Sequence, residues 1–170
     1  IVFTLLIFLS SMYFTGAIKN IFGFLPGFTK GLQHVKYSDR HQLASFFVDL
    51  EETIRPHFHI MDGIIGMEGP GPGNGYPIIT GVLLASKNPL AMDIIASKII
   101  GYDPLTIPTN KIALERGKLL KDINEIKITG PDPETLVVKK FRRIQTAGAS
   151  GIMLKALKKR LPFLRKLDKR

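Results

Sequence analysis

A chain of 170 residues with 45% hydrophobic content is long enough for one domain with its own core and too apolar for global disorder. It has no cysteine, which excludes disulfides, thiolate nucleophiles, sulfur-held zinc and any iron-sulfur cluster ligated by this chain alone. The net charge of +10 is uneven: residues 139–170 carry twelve Lys or Arg against the single acid Asp168, while residues 1–138 carry twelve basic and thirteen acidic residues. Basicity therefore describes a tail and not the body.

Residues 1–18, opening IVFTLLIFLSS, hold no charge before Lys19 and reach the lower end of the length that spans a bilayer. The hydrophobic start, residues 1–14, is open to three readings: a membrane segment, a buried strand or helix, or a truncated or misjoined element. The next segment, KNIFGFLPGFTKGLQH from Lys19 to His34, reads as a loop or short turns held down by Phe22, Phe24 and Phe28. Its Lys19, Asn20, Lys30 and His34 are candidates for meeting an anionic ligand, with solvated loop charges as the plain alternative.

Asp39 can cap a helix whose apolar positions Leu43, Phe46, Phe47, Leu50 and Ile54 recur at helical spacing, and Pro56 stops it. HFHIM at 57–61 alternates like a short strand that delivers Asp62 at its end. His57 and His59 read as surface or internally bonded histidines. Then comes DGIIGMEGPGPGNGYP, Asp62 to Pro77, with six Gly and three Pro in sixteen residues, which argues against a regular helix or a central strand. It reads as an ordered ligand loop or a structural crossover, with Gly69 and Gly71 offering backbone amides to a ligand.

IITGVLLAS, Ile78 to Ser86, reads as a buried strand. Asn88 and Pro89 open a helix with Leu90, Ala91, Ile94, Ile95 and Ile99 on its buried face, ended by Gly101. Asp93 on that helix is either partnered in a network or a surface acid. A short helix follows from Pro108 to Glu115, closed by Gly117, then strand-like EIKIT at Glu125 to Thr129 and a last strand at Leu136 to Val138. Residues 151–170 place Leu154, Leu157, Leu161 and Leu164 among cations, the pattern of a basic amphipathic helix kinked at Pro162.

The fold expectation is α/β: a partial mixed or parallel sheet with flanking helices over residues 15–138, followed by the basic tail at 139–170. Asp62, Glu68 and Asp93 could jointly hold Mg²⁺ or another hard divalent cation. No Ser-His-Asp spacing and no phosphate-loop lysine is present, and GPGPGNG contains prolines and precedes a strand, unlike a dinucleotide fingerprint. Residues 151–170 suit an anionic membrane surface or an acidic protein; without a nucleic-acid reader motif, nucleic acid is disfavoured.

Three motifs together, GAIKNIFGFLPGFTKGLQH at Gly16 to His34, DGIIGMEGPGPGNGYP at Asp62 to Pro77 and GVLLASKNPLAMDIIASKIIG at Gly81 to Gly101, resemble the prokaryotic family known as domain of unknown function 362. The resemblance runs from about Thr15 to Gly130, and most of that domain's usual N-terminal portion is expected to lie outside this sequence. Its matching positions are Lys19, Asn20, Lys30, His34, Asp62, Glu68, Gly69, Gly71, Pro72 and Asp93, to which it attaches no catalytic role. Members often adjoin ferredoxin-like modules, so it implies an iron-sulfur or redox protein partner, although a cluster on this chain is disfavoured without cysteine. The functional expectations are a ligand- or metal-binding enzyme or enzyme fragment associated with redox metabolism, a noncatalytic accessory to an iron-sulfur partner, or an inactive fragment. The expected location is cytoplasmic, with membrane association through either end of the chain.

Overall fold

The computed structural model of the chain describes residues 1–9, 12–37, 39–71 and 73–142. It is α/β, built on a four-stranded mixed sheet of order β2-β1-β3-β4. The strands are β1 (Val2–Leu9), β2 (Tyr13–Thr15), β3 (His59–Glu68) and β4 (Tyr76–Ser86). β1 pairs antiparallel with β2 and parallel with β3, and β3 pairs antiparallel with β4. The parallel step needs a crossover. The chain supplies it with helices α1 (Ala17–Asn20), α2 (Gly27–Lys36) and α3 (Arg40–Ile54).

The uncharged start thus lies in a hairpin of strands, the outcome closest to the buried-strand reading. Among the described residues no helix is long and apolar enough to cross a membrane, which corrects the expectation of a membrane segment and of membrane association through it. The basic amphipathic reading of residues 151–170 lies outside the described residues. The Lys19 to His34 segment is not a loop: α1 runs into a 3₁₀ turn at Ile21–Phe24 and then into α2. Phe22 packs against the core, but Phe24 is exposed and anchors nothing.

The largest correction concerns the glycine-rich stretch. Asp62 to Glu68 is the greater part of β3, a strand with neighbours on both sides. A bulge between Gly63 and Ile65 absorbs the irregular sequence: the Asp62 carboxylate accepts from Ile64 N at 2.9 Å, and Thr80 Oγ1 donates to the Gly63 carbonyl. The glycines here serve close packing. A Cβ at Gly63 would run into Val82, and one at Gly66 would press on the Leu6 carbonyl. Only residues 69–75 are left to connect β3 to β4.

The helix signals hold where capping chemistry is local. Asp39 accepts from Gln42 N at 3.0 Å to start α3, and Asn88 accepts from Ala91 N at 3.1 Å to start α4 (Pro89–Ile99). Helix α5 (Pro108–Arg116) begins on proline and ends at Gly117 with φ 63°. The two last strand expectations fail. Residues 126–129 and 137–138 join no ladder, and Pro133–Leu136 forms a 3₁₀ turn.

All five helices lie on one side of the sheet, where α4 is the middle of the domain. Its Met92 and Ala96 pack with Leu6, Phe14 and Met61 of the strands, while its Leu90 and Ile94 pack with Ile18, Phe47 of α3 and Ile112 of α5. A helix apolar on several sides is one enclosed on several sides. Asp93 therefore cannot avoid the interior.

Candidate functional site

Asp93 is 1% exposed, and its carboxylate receives the chain at the start of α1: Oδ1 accepts from Ala17 N at 2.6 Å and Oδ2 from Ile18 N at 3.1 Å. Gly16, at the N-cap position, has no side chain to cap α1, so Asp93, 76 positions beyond Ala17, performs the task. A Cβ at Gly16 would overlap that carboxylate. Burial raises the Asp93 pKa to about 7, the two amide bonds oppose the rise, and the charge of Glu51 adds to it.

Two residues into α1 stands Lys19. Its ammonium donates to Thr15 Oγ1 at 3.3 Å and lies 5.9 Å from the centre of the Phe47 ring. Burial pulls its pKa down to about 8. Among the described residues no carboxylate lies within ion-pair distance of it. His34 of α2 sits edge-on to Phe22 at 5.3 Å, and its pKa is lowered by burial first and by the Lys19 charge second. Lys30 is one helical turn before His34 on the same helix and so shares its face. Three of the candidate cationic residues thus belong to one neighbourhood. Asn20 has a different task, donating from Nδ2 to the Phe3 carbonyl at 2.8 Å and tying α1 to β1.

The glycine-rich turn is occupied by the protein itself. Gly69 N donates to the Arg142 carbonyl at 3.4 Å and Gly71 N to the Gly69 carbonyl at 2.8 Å. Glu68 accepts from Arg142 N at 2.7 Å, its other oxygen is 3.5 Å from Arg142 Nε, and the Arg142 guanidinium lies 5.4 Å from the Tyr76 ring centre. That arrangement latches residue 142 to the end of β3. Gly69 with φ 79° is required by the turn itself.

The three carboxylates proposed for a divalent cation do not converge. Asp62 is exposed on the far face of the sheet and holds the bulge, Glu68 is bound to Arg142, and Asp93 is buried under α1. Among the described residues no group of three or more His, Cys, Asp or Glu could hold a metal ion. This corrects the metal reading. With the absence of cysteine, it corrects the iron-sulfur association as a property of the described residues themselves, without bearing on a separate redox partner.

An unforeseen feature is a buried pair, Glu51 of α3 with His59 of β3. Glu51 Oε1 is 3.3 Å from His59 Nε2, with both side chains at most 2% exposed. The contact is at ion-pair distance but off the hydrogen-bond direction, and Glu51 Oε2 and His59 Nδ1 have no hydrogen-bond partner. Asn110 of α5 is likewise buried with neither amide atom bonded. The signal for Glu51 was available: it falls four residues after Phe47 and seven after Ala44, on the buried stripe of α3. His57, by contrast, is exposed and lies before β3 begins.

A family model described as a domain of unknown function, DUF362, matches residues 10–98, just over half of the chain. The chain belongs to the DUF362 family. The matched span begins ahead of β2 and ends within α4, and so contains Lys19, His34, the Glu51 and His59 pair and Asp93. The chain is also 35% identical over 129 residues to the "Thylakoid-associated protein sll1697" of Synechocystis sp., a match covering 75% of this chain and 40% of that relative. This DUF362 chain therefore corresponds to well under half of the relative's length. No solved structure matches it.

Proposed function

We propose that this DUF362 chain is an anion-binding α/β unit in which Lys19 is the anchoring cation, Lys30 adds a second positive charge and His34, held neutral by its surroundings, offers a ring N–H donor. The observation that carries this reading is the setting of the Lys19 ammonium, which is largely withdrawn from water with a hydroxyl and a ring for company and, among the described residues, no counter-charge. A desolvated cation without an anion is costly. A phosphate or carboxylate group of a small ligand would offset that cost and raise the Lys19 pKa back toward its ordinary value. The chemistry favoured is binding and orientation of an anionic group, with no catalytic residue assigned.

Titration calorimetry with inorganic phosphate at pH 7 tests this. Binding is expected for the native chain and is lost in Lys19→Met. Equal affinity in the two proteins, or no heat at tens of millimolar phosphate, sinks the reading.

A further inference from the structure

The face of the sheet turned away from the helices is bare, and it is apolar. Phe3 and Leu5 of β1, Ile64 and Ile65 of β3, and Ile79 and Leu83 of β4 are 55% to 80% exposed. The register makes them one surface. Across β1, β3 and β4, Ile60 lies between Phe3 and Ala85, Asp62 lies between Leu5 and Leu83, and Ile65 is beside Ile79. Scattered exposed apolar residues are ordinary, but a continuous patch across three strands marks a surface that another element covers.

Three observations define the occupant. β1 and β3 are parallel, and parallel strands are normally covered by helices on both faces, whereas every described helix lies on the inner one. β1 reads VFTLLIFL, apolar at nearly every position, which is the composition of a strand buried on both sides and not of one facing water. Asp62 is the single charge among these outward positions, flanked across the strands by Leu5 and Leu83. Two copies stacked face to face would bring two Asp62 carboxylates into one apolar seam, which disfavours self-association.

We propose that this face is the docking surface for a layer of amphipathic helix, with an apolar stripe against Leu5, Ile79 and Leu83 and one Lys or Arg placed to meet Asp62. The layer belongs to polypeptide of the kind that forms the part of the Synechocystis relative outside its match to this chain, since that match covers 40% of the relative. Two helices packed about 8–10 Å apart are wide enough to cover four strands spaced about 4.8 Å. The arrangement makes a three-layer α/β/α unit. It does not depend on the anion site, which lies among the helices of the inner side.

The test places a photo-crosslinking amino acid in the full-length Synechocystis relative at the residue matched to Leu83. Crosslinks to that protein's own unmatched residues are expected. Crosslinks to a second copy, or none at all, overturn the proposal. In parallel, Leu83→Cys in the present cysteine-free chain is expected to react with maleimide at the rate of an open thiol. Protection that disappears on dilution would assign the face to self-association and also overturn it.

Discussion

The covered face of the sheet buries polar groups within its apolar core, while the open face is itself apolar. The inner face and its helices enclose Thr4, Glu51, His59, Glu68, Thr80 and Asp93, whereas the outer face presents Phe3, Leu5, Ile79 and Leu83 to solvent. Residue hydrophobicity did not choose which face is covered. The crossover from β1 to β3 did, by carrying its helices to one side, so the polar groups of that side are buried with whatever partners they can find. Some find good ones, as Asp93 does at the start of α1; others, such as Asn110, do not.

The sharpest way to break this comparison uses two neighbours on β4. Val82 is 5% exposed on the inner face and Leu83 is 65% exposed on the outer. Val82→Asp should cost roughly 4–5 kcal/mol, because it buries an unpaired charge. Leu83→Lys, exposed and directly across from Asp62, should stay within about 0.5 kcal/mol. Urea unfolding of both variants measures the contrast, and equal losses would show that the outer face is already covered.

Asp93 gives the next largest effect, read through pH. Its folded pKa of about 7 lies above the ordinary value of 3.8, so between those values the folded state holds more protons than the unfolded state. Stability should fall as pH rises from about 4 to 7 and level off above, by a sum on the order of 4 kcal/mol. Asp93→Asn should flatten that slope, and an unchanged pH profile in the variant would contradict the assignment.

Gly16→Ala tests the same contact sterically. The new methyl would displace the Asp93 carboxylate from the α1 amides, at about 2–3 kcal/mol, visible as a lowered Tm and as shifted amide resonances of Ala17 and Ile18. The smallest effect is kinetic. At pH 8 Lys19 should acylate faster than the chain's exposed lysines, since about half of it is the free amine at its pKa of about 8, and saturating phosphate should slow it. Peptide mapping of the acylated sites gives the answer.

Several elements were legible because their chemistry is local. Asp39, Asn88 with Pro89, and Pro108 with Gly117 mark helix boundaries within a turn of themselves, and α3, α4 and α5 fall where those residues place them. The glycines of Asp62 to Pro77 misled for a physical reason. Gly63 and Gly66 are there because Val82 and the Leu6 carbonyl press against β3, a demand set by neighbours distant in sequence. The carboxylates misled similarly, as residue type says what Asp62, Glu68 and Asp93 could ligate but not that they end on different sides of a sheet.

The sequence by itself determined the α/β class, the capped helices, the absence of cysteine chemistry and the family, since each depends on residue identity or on spacing within a few turns. The tertiary structure alone decided that Asp93 caps α1, that Glu51 meets His59 and, among the described residues, that Lys19 lacks a counter-charge and one apolar face of the sheet is open. Each of those depends on the handedness and side of a crossover, which brings together residues far apart in the chain and leaves no trace in local pattern.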